Sequence, residues 1–279
     1  MAMLVTFLCA AEPALIIAEE AEAEAGATVR IFLLGGQSNM VGQGRNSELP
    51  PPLNAPFPRV KCWDRRRRQW VPLAPGMGKY PDRFGPEISF GHAMAEAMPD
   101  ADIRLVKFAA GGSNLYENWA PPEGPCYRSF MKTAESALRD LDKSRIQYEI
   151  VGMLWLQGES DADAGKGDLY EENLKAFIAH IRQEFKEPEM PFVIARVLAV
   201  WGAKNGHARL VREAQDKTAH DGKYVACFHT DDCRPVHPRK NRGHYGTEGQ
   251  LKIGKRFAQG YLKLVREPQS KVHPGMSVD

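Results

Sequence analysis

Five short runs of apolar, largely β-branched residues, at 29–34, 103–109, 148–156, 192–199 and 224–229, alternate with longer segments whose apolar residues recur at helical spacing. No other feature of the chain restricts its fold as much. A run of this length bounded by turn residues reads as a strand buried on both faces. Strands that alternate with helices need crossover connections, and those join parallel strands. The helical segments are 88–98, 127–141, 169–185, 208–220 and 249–265, and the third carries Leu174, Phe177, Ile178, Ile181 and Phe185 on one stripe. The expected fold is α/β: one three-layer α/β/α sandwich over residues 28–268, with a five-stranded parallel sheet between helices and a loose tail at 269–279.

Two proline-rich stretches, 46–86 and 116–125, interrupt the alternation and are expected to be ordered loops. Within the first, Val60-Lys61-Cys62-Trp63 and Gln69-Trp70-Val71 flank Asp64 and four consecutive arginines, which reads as a small hairpin with a solvated, charged tip. No nucleic-acid motif surrounds the arginine run, and 37 basic against 35 acidic side chains give a net charge of only +2. That balance favours neither nucleic acid nor an anionic membrane as partner. The five cysteines show no CxxC spacing, so disulfides do not define the fold, although a Cys227–Cys233 pair stays open. Residues 1–27 form an apolar start followed by an acidic, alanine-rich stretch. It resembles a secretory leader but has no basic residue ahead of its apolar part. Export to a secreted or periplasmic location and retention in the cytoplasm are both open, and no run is long enough for a membrane span.

In an open parallel sheet, ligands bind beyond the carboxyl ends of the strands. Polar clusters follow the strands there. Gly35-Gly36-Gln37-Ser38-Asn39-Met40 follows the first, with glycines for a tight turn and a serine that is either a helix cap or a nucleophile ringed by backbone N–H groups. Ala110-Gly111-Gly112-Ser113-Asn114 follows the second, either a simple turn or a place where backbone meets a ligand. Gln157-Gly158-Glu159-Ser160-Asp161-Ala162-Asp163 follows the third, its carboxylates a metal site or a solvated loop. His244 stands directly before the last helix. A serine hydroxyl needs a base to take its proton, and an imidazole suits that at neutral pH. With a carboxylate to hold the imidazole, the set is that of acyl transfer.

Read together, Gly36-Gln37-Ser38-Asn39-Met40, Gly85-Pro86-Glu87-Ile88-Ser89-Phe90-Gly91, Gly111-Gly112-Ser113-Asn114-Leu115, Gln157-Gly158-Glu159-Ser160-Asp161 and the late His244 resemble the SGNH hydrolases. Within them they are most similar to the branch of sialate O-acetylesterases and family-six carbohydrate esterases. The resemblance implies a flavodoxin-like sheet and hydrolysis of O-acetyl esters on a carbohydrate, such as sialic acid or xylan, through an acyl-serine. It implies neither metal nor organic cofactor. By position Ser38 matches the nucleophile, His244 the base and Gly112 or Gly111 an oxyanion donor. Gln157, with Asn114 as rival, matches a third donor, and Gln37 joins the substrate-binding group. Family members place an Asp three residues before the histidine, and Asn241 stands there instead. The resemblance leaves Glu159 as the acid, with Asp231, Asp232 or a bare Ser–His dyad as alternatives. A carbohydrate-binding module that lost its acid, and a lipase- or thioesterase-like hydrolase, remain the competing functions. The sequence leaves oligomeric state open.

Overall fold

The computed structural model describes residues 28–233, 235–237 and 241–266, with backbone only at 241 and 242. The leader at 1–27, Cys9 and the tail at 269–279 lie outside the described residues. In chain order the strands are β1 (Val29–Gly36), β2 (Gly44–Arg45), β3 (Phe57–Asp64), β4 (Gln69–Leu73), β5 (Arg83–Phe84), β6 (Ile103–Ala109), β7 (Tyr148–Leu156), β8 (Phe192–Ala195), β9 (Val225–Phe228), β10 (Pro235–His237) and β11 (Asn241–Tyr245). The helices are α1 (Ser38–Val41), α2 (Glu87–Ala97), α3 (Pro125–Lys143), α4 (Glu159–Asp163), α5 (Tyr170–Glu184), α6 (His207–Asp221) and α7 (Thr247–Arg266).

The main sheet has seven strands in the order β4-β3-β6-β1-β7-β8-β9. Its five expected strands run parallel, and counted in their own order they lie 2-1-3-4-5, the flavodoxin arrangement. Strand alternation creates the layers. Ile31, Leu33, Met153, Trp155, Phe192 and Ile194 face α3, α5 and α6, while Phe32, Leu34, Leu154, Leu156, Val193 and Ala195 face α2 and α7. Both clusters are apolar throughout, so the central strands read as continuous hydrophobic runs rather than alternating ones.

Two expectations need correction. The sheet is wider than five strands because the hairpin of β3 and β4 joins it: β3 pairs in parallel with β6, and β4 closes the edge antiparallel. Pro58 and Pro72, which cannot donate to a ladder, sit in this edge hairpin, where the missing N–H is tolerated. The arginine tip stands at the carboxyl edge of the sheet with Arg65, Arg66, Arg67 and Arg68 all exposed, as expected of a solvated tip, and the Arg65 guanidinium lies 4.6 Å above the Phe108 ring. Strand β8 also ends at Ala195, short of residue 199. Beyond it the Arg196 N–H still bonds the Phe228 carbonyl (2.9 Å), but the Arg196 carbonyl accepts the Thr230 hydroxyl (2.6 Å) and the Val197 N–H turns to the Gln215 side chain (3.0 Å), taking the chain out of the ladder. Cys62, Cys126, Cys227 and Cys233 are all free thiols.

Candidate active site

The chain passes from β1 to β6 on one side and then to β7 on the other, so β1 and β7 flank the switch point of the sheet. Gly36 makes the turn out of β1. Its φ is +151°, and a Cβ there would stand 2.1 Å from the Leu156 carbonyl oxygen, so only glycine lets β1 and β7 end this close together. Gln37 locks the same crevice. Its side-chain oxygen accepts from the backbone N–H groups of Gly158 (3.3 Å) and Ser160 (3.2 Å) and from the Gln157 amide (3.2 Å).

Ser38 opens α1, and its Oγ lies 2.9 Å from His244 Nε2. The two residues are 206 positions apart and are joined because the β10–β11 ribbon lays His244 across the switch point. Burial and the positive charge of Arg83 push the His244 pKa below its ordinary 6.5, so at neutral pH the ring is uncharged and able to take a proton. Arg83 is itself held by Gln43 (2.6 Å), whose amide donates to the Ser38 carbonyl (3.2 Å).

Glu159 does not touch the imidazole. It is 3% exposed, and its Oε1 accepts 2.6 Å from Asn39 Nδ2. The same amide donates to the Gly243 carbonyl (3.0 Å), while Asn39 Oδ1 accepts the Tyr245 N–H (3.1 Å). Asn39 thus grips the peptides on either side of His244 and ties them to the carboxylate. Desolvation lifts the Glu159 pKa to about 7, and its Oε2 has no hydrogen-bond partner. The rival acids lie elsewhere: Asp231 pairs with Arg196 and Arg212, and Asp232 with Lys252 and Arg256. The side chain of Asn241 lies outside the described residues.

The remaining carboxylates of the third loop divide between structure and solvent. Asp161 is buried and accepts from the N–H groups of Leu115 (2.9 Å) and Tyr116 (3.2 Å) and from Gln157 Nε2 (2.6 Å), which pins the second loop to the third. Asp163 lines the cleft. Gln157 is fully buried, and its amide is spent on Gln37, the Ser113 carbonyl and Asp161, so it is a brace between loops rather than a group aimed at the cleft. Asn114 is placed differently. Its Oδ1 accepts from the N–H groups of Glu117 (3.0 Å) and Asn118 (2.9 Å), which leaves the amide end as the donor in a side chain that lines the cleft beside Ser38. Gly112 lines the same cleft at φ +72°, with no atom within 4 Å of where a Cβ would stand, while Gly111 lies close to Ser38. Ser38, Gly112 and Asn114 thus line one cleft, and backbone N–H groups and a side-chain amide are the donor types that an oxyanion calls for.

The cleft holds about 470 Å³. Tyr116 is on its wall, whereas Trp119 is fully buried in the core with its indole N–H on Ser113 Oγ (2.8 Å). Sequence reasoning missed Trp201, whose ring lies 6.0 Å from the His244 ring and is 36% exposed at the cleft mouth. Its only trace in the sequence is Gly243, where a Cβ would stand 2.1 Å from the Trp201 indole nitrogen.

A family model described as carbohydrate esterase, sialic acid-specific acetylesterase, matches residues 28–263. The chain belongs to this family of carbohydrate esterases. It is 29% identical over 252 residues, 84% of this chain and 90% of the relative, to a probable carbohydrate esterase of Arabidopsis thaliana. The crystal structure of that protein superposes with a TM-score of 0.70 at 26% identity, covering 85% of this esterase and 98% of the plant chain. The fold is also that of NanS (TM-score 0.68, 16% identity, 86% and 98% covered) and of a carbohydrate acetylesterase from Xanthomonas citri (0.62, 18%, 85% and 56%). Among the described residues, no helix of the esterase is long and apolar enough to cross a membrane.

Proposed function

We propose that the esterase removes O-acetyl groups from a carbohydrate through an acetyl-serine intermediate. The observation that carries this reading is the 2.9 Å contact between Ser38 Oγ and an uncharged His244 at the floor of a solvent-open cleft. His244 Nε2 takes the hydroxyl proton as Oγ attacks the acetyl carbonyl carbon, and the oxyanion that forms is met by the N–H groups of Ser38 and Gly112 and the Asn114 amide. Collapse breaks the bond to the sugar oxygen, which leaves with the proton from His244. Water, deprotonated by the same imidazole, then attacks the acetyl-serine and releases acetate and free Ser38. Glu159 supports the imidazolium from a distance, through Asn39 and without a direct bond. Gln37, Asn114, Glu159, Ser160 and Asp163 make the walls polar, which suits an acetyl on a sugar and not the apolar groove a long acyl chain needs. Trp201 at the mouth offers a flat face for a pyranose ring.

Hydrolysis of p-nitrophenyl acetate by wild type and Ser38→Ala tests the nucleophile, with turnover expected only in the wild type. A screen of acetylated sialic acid, acetylxylan and acetylated monosaccharides then ranks the sugars. Serine-independent turnover, or none, overturns the mechanism.

A further inference from the structure

The turn that carries Ser38 is too short to hold itself. Helix α1 has four residues, and the last four carbonyls of a helix have no partner within it. A helix needs about 12–15 residues to persist alone, so α1 depends on what grips it from outside. Side chains from different elements do so. Gln250, fully buried in α7, donates to the Asn39 carbonyl (3.1 Å), and Lys107 of β6 donates to the Val41 carbonyl (3.3 Å). Gln43, just past the turn, donates to the Ser38 carbonyl (3.2 Å).

The grip on Ser38 differs from the other two. Its carbonyl already accepts the Gly42 N–H at 3.1 Å, so the helix end is satisfied there without a second donor. Gln43 is nonetheless held in one orientation. Arg83 Nη1 stands 2.6 Å from Gln43 Oε1, and a guanidinium can only donate, so the amide oxygen faces Arg83 and the amide nitrogen is left facing Ser38. The ribbon of β2 and β5 brings Arg83 there: it begins at Gly44, directly after Gln43, and pairs Arg45 with Arg83. The guanidinium lies over the Tyr80 ring (4.8 Å), and the one carboxylate within 4 Å of it among the described residues, that of Asp82, is 3.9 Å away and beyond hydrogen-bond reach. Arg83 thus directs its short hydrogen bond to an amide rather than to an acid. Its charge, second to burial, also acts on His244, so one side chain bears on both members of the Ser38–His244 pair. Arg83 is not among the residues that line the cleft.

We propose that Arg83 is a positioning residue for the nucleophile: acting through Gln43, it fixes the Ser38 peptide and with it the direction in which Oγ meets His244 Nε2. The inference rests on the reading of Ser38 as nucleophile and adds a residue, outside the cleft wall, that sets its orientation. A tilt of the Ser38 peptide carries both the hydroxyl and the N–H off line, and a misplacement of about 1 Å at a reacting group can cost about 100-fold in rate.

The test is a double-mutant cycle on p-nitrophenyl acetate hydrolysis with Arg83→Met and Gln43→Met, which keep an unbranched stem and remove the hydrogen bonds. Both side chains are half-buried, so neither replacement empties the core. Each is expected to lower kcat by about tenfold, the worth of one charge-assisted hydrogen bond, with KM within about twofold of wild type. The double variant is expected to fall no further than the lower single, because both break the same chain of contacts. Gln43→Glu keeps a partner for Arg83 but, ionised, has no donor for Ser38, and its kcat is expected to match that of Gln43→Met. Wild-type kcat in Arg83→Met or Gln43→Glu, or a double variant that falls by the product of the two singles, overturns the relay. The backbone 13C resonance of the Ser38 carbonyl reads the contact without turnover. It is expected to move in the same direction in Arg83→Met and Gln43→Met, and an unmoved resonance in Arg83→Met overturns the proposal. Turnover that persists in Ser38→Ala overturns the esterase reading instead, and the carbonyl resonance then decides the relay alone.

Discussion

Replacing Glu159 by glutamine removes one buried charge and leaves an oxygen to accept from Asn39, so stability and activity should move in opposite directions. The unfolded carboxyl titrates near 4.5 and the folded one at about 7 because burial disfavours its ion. A carboxyl with a raised folded pKa binds its proton more tightly in the folded state, so stability falls as pH climbs from the unfolded to the folded value and is level above it. At about 1.4 kcal/mol per pKa unit, the ionised Glu159 costs roughly 3 kcal/mol at pH 8. Glu159→Gln should therefore be more stable than wild type by about that amount at pH 8, or about 6–12 °C in Tm for a domain of this size, and by little at pH 4.5. Catalysis should suffer. A buried unit charge one side chain removed from an imidazolium contributes on the order of 2 kcal/mol at an effective dielectric of about 20, so kcat should fall by roughly one to two orders of magnitude. In wild type the acid limb of kcat/KM should lie near pH 7, where Glu159 ionises. In the variant it should drop below 6.5, where His244 alone titrates. Urea unfolding at the two pH values and a pH–rate profile measure both effects. Equal stability gains at pH 4.5 and 8, or an unmoved acid limb, would refute the reasoning.

Two further outcomes follow from the same geometry. Asn39→Ala removes the amide that Glu159 accepts from and the acceptor of the Tyr245 N–H, at about 1–3 kcal/mol each, leaves the Gly243 carbonyl only the longer Trp201 indole N–H (3.4 Å), and should lower kcat by about 100-fold with KM nearly unchanged. A rise in KM with kcat intact would show that Asn39 does not position the base. Trp201→Ala should raise KM for an acetylated glycan several-fold, by more than it does for p-nitrophenyl acetate, which steady-state kinetics on the two substrates will separate.

The central strands were legible because burial on both faces writes them as unbroken apolar runs: 103–109 and 148–156 match β6 and β7 residue for residue. Edge elements carry no such mark. Strand β3, half exposed and containing Pro58, reads as a loop hairpin until its pairing with β6 is seen. The loops that build the site follow the strands as the fold class requires, so Ser38, Gly112, Asn114 and Glu159 could be named from sequence, and the structure gathers them with His244 at one cleft. What the sequence hid were long-range side-chain links. Nothing in the spacing of Asn39 and Glu159, 120 residues apart, says that an amide stands between Glu159 and the peptides around His244, and nothing distinguishes Trp119, which is core, from Trp201, which is not. Gln157 and Asn114 present the same functional group, and only their hydrogen-bond partners separate the buried brace from the side chain that lines the cleft.

The 206-residue span between Ser38 and His244, the nucleophile and base that we propose, also sets a clock. At about 5–20 residues per second, a ribosome that has made Ser38 needs about 10–40 s to reach His244, and the ribbon carrying that histidine then has to dock on Asn39. During that interval the sheet can assemble from β1, β6 and β7 with the serine in place and no base to activate it. On the proposed mechanism the growing chain is hydrolytically silent until His244 docks, and the onset of ester cleavage during synthesis would report completion of the fold rather than its beginning.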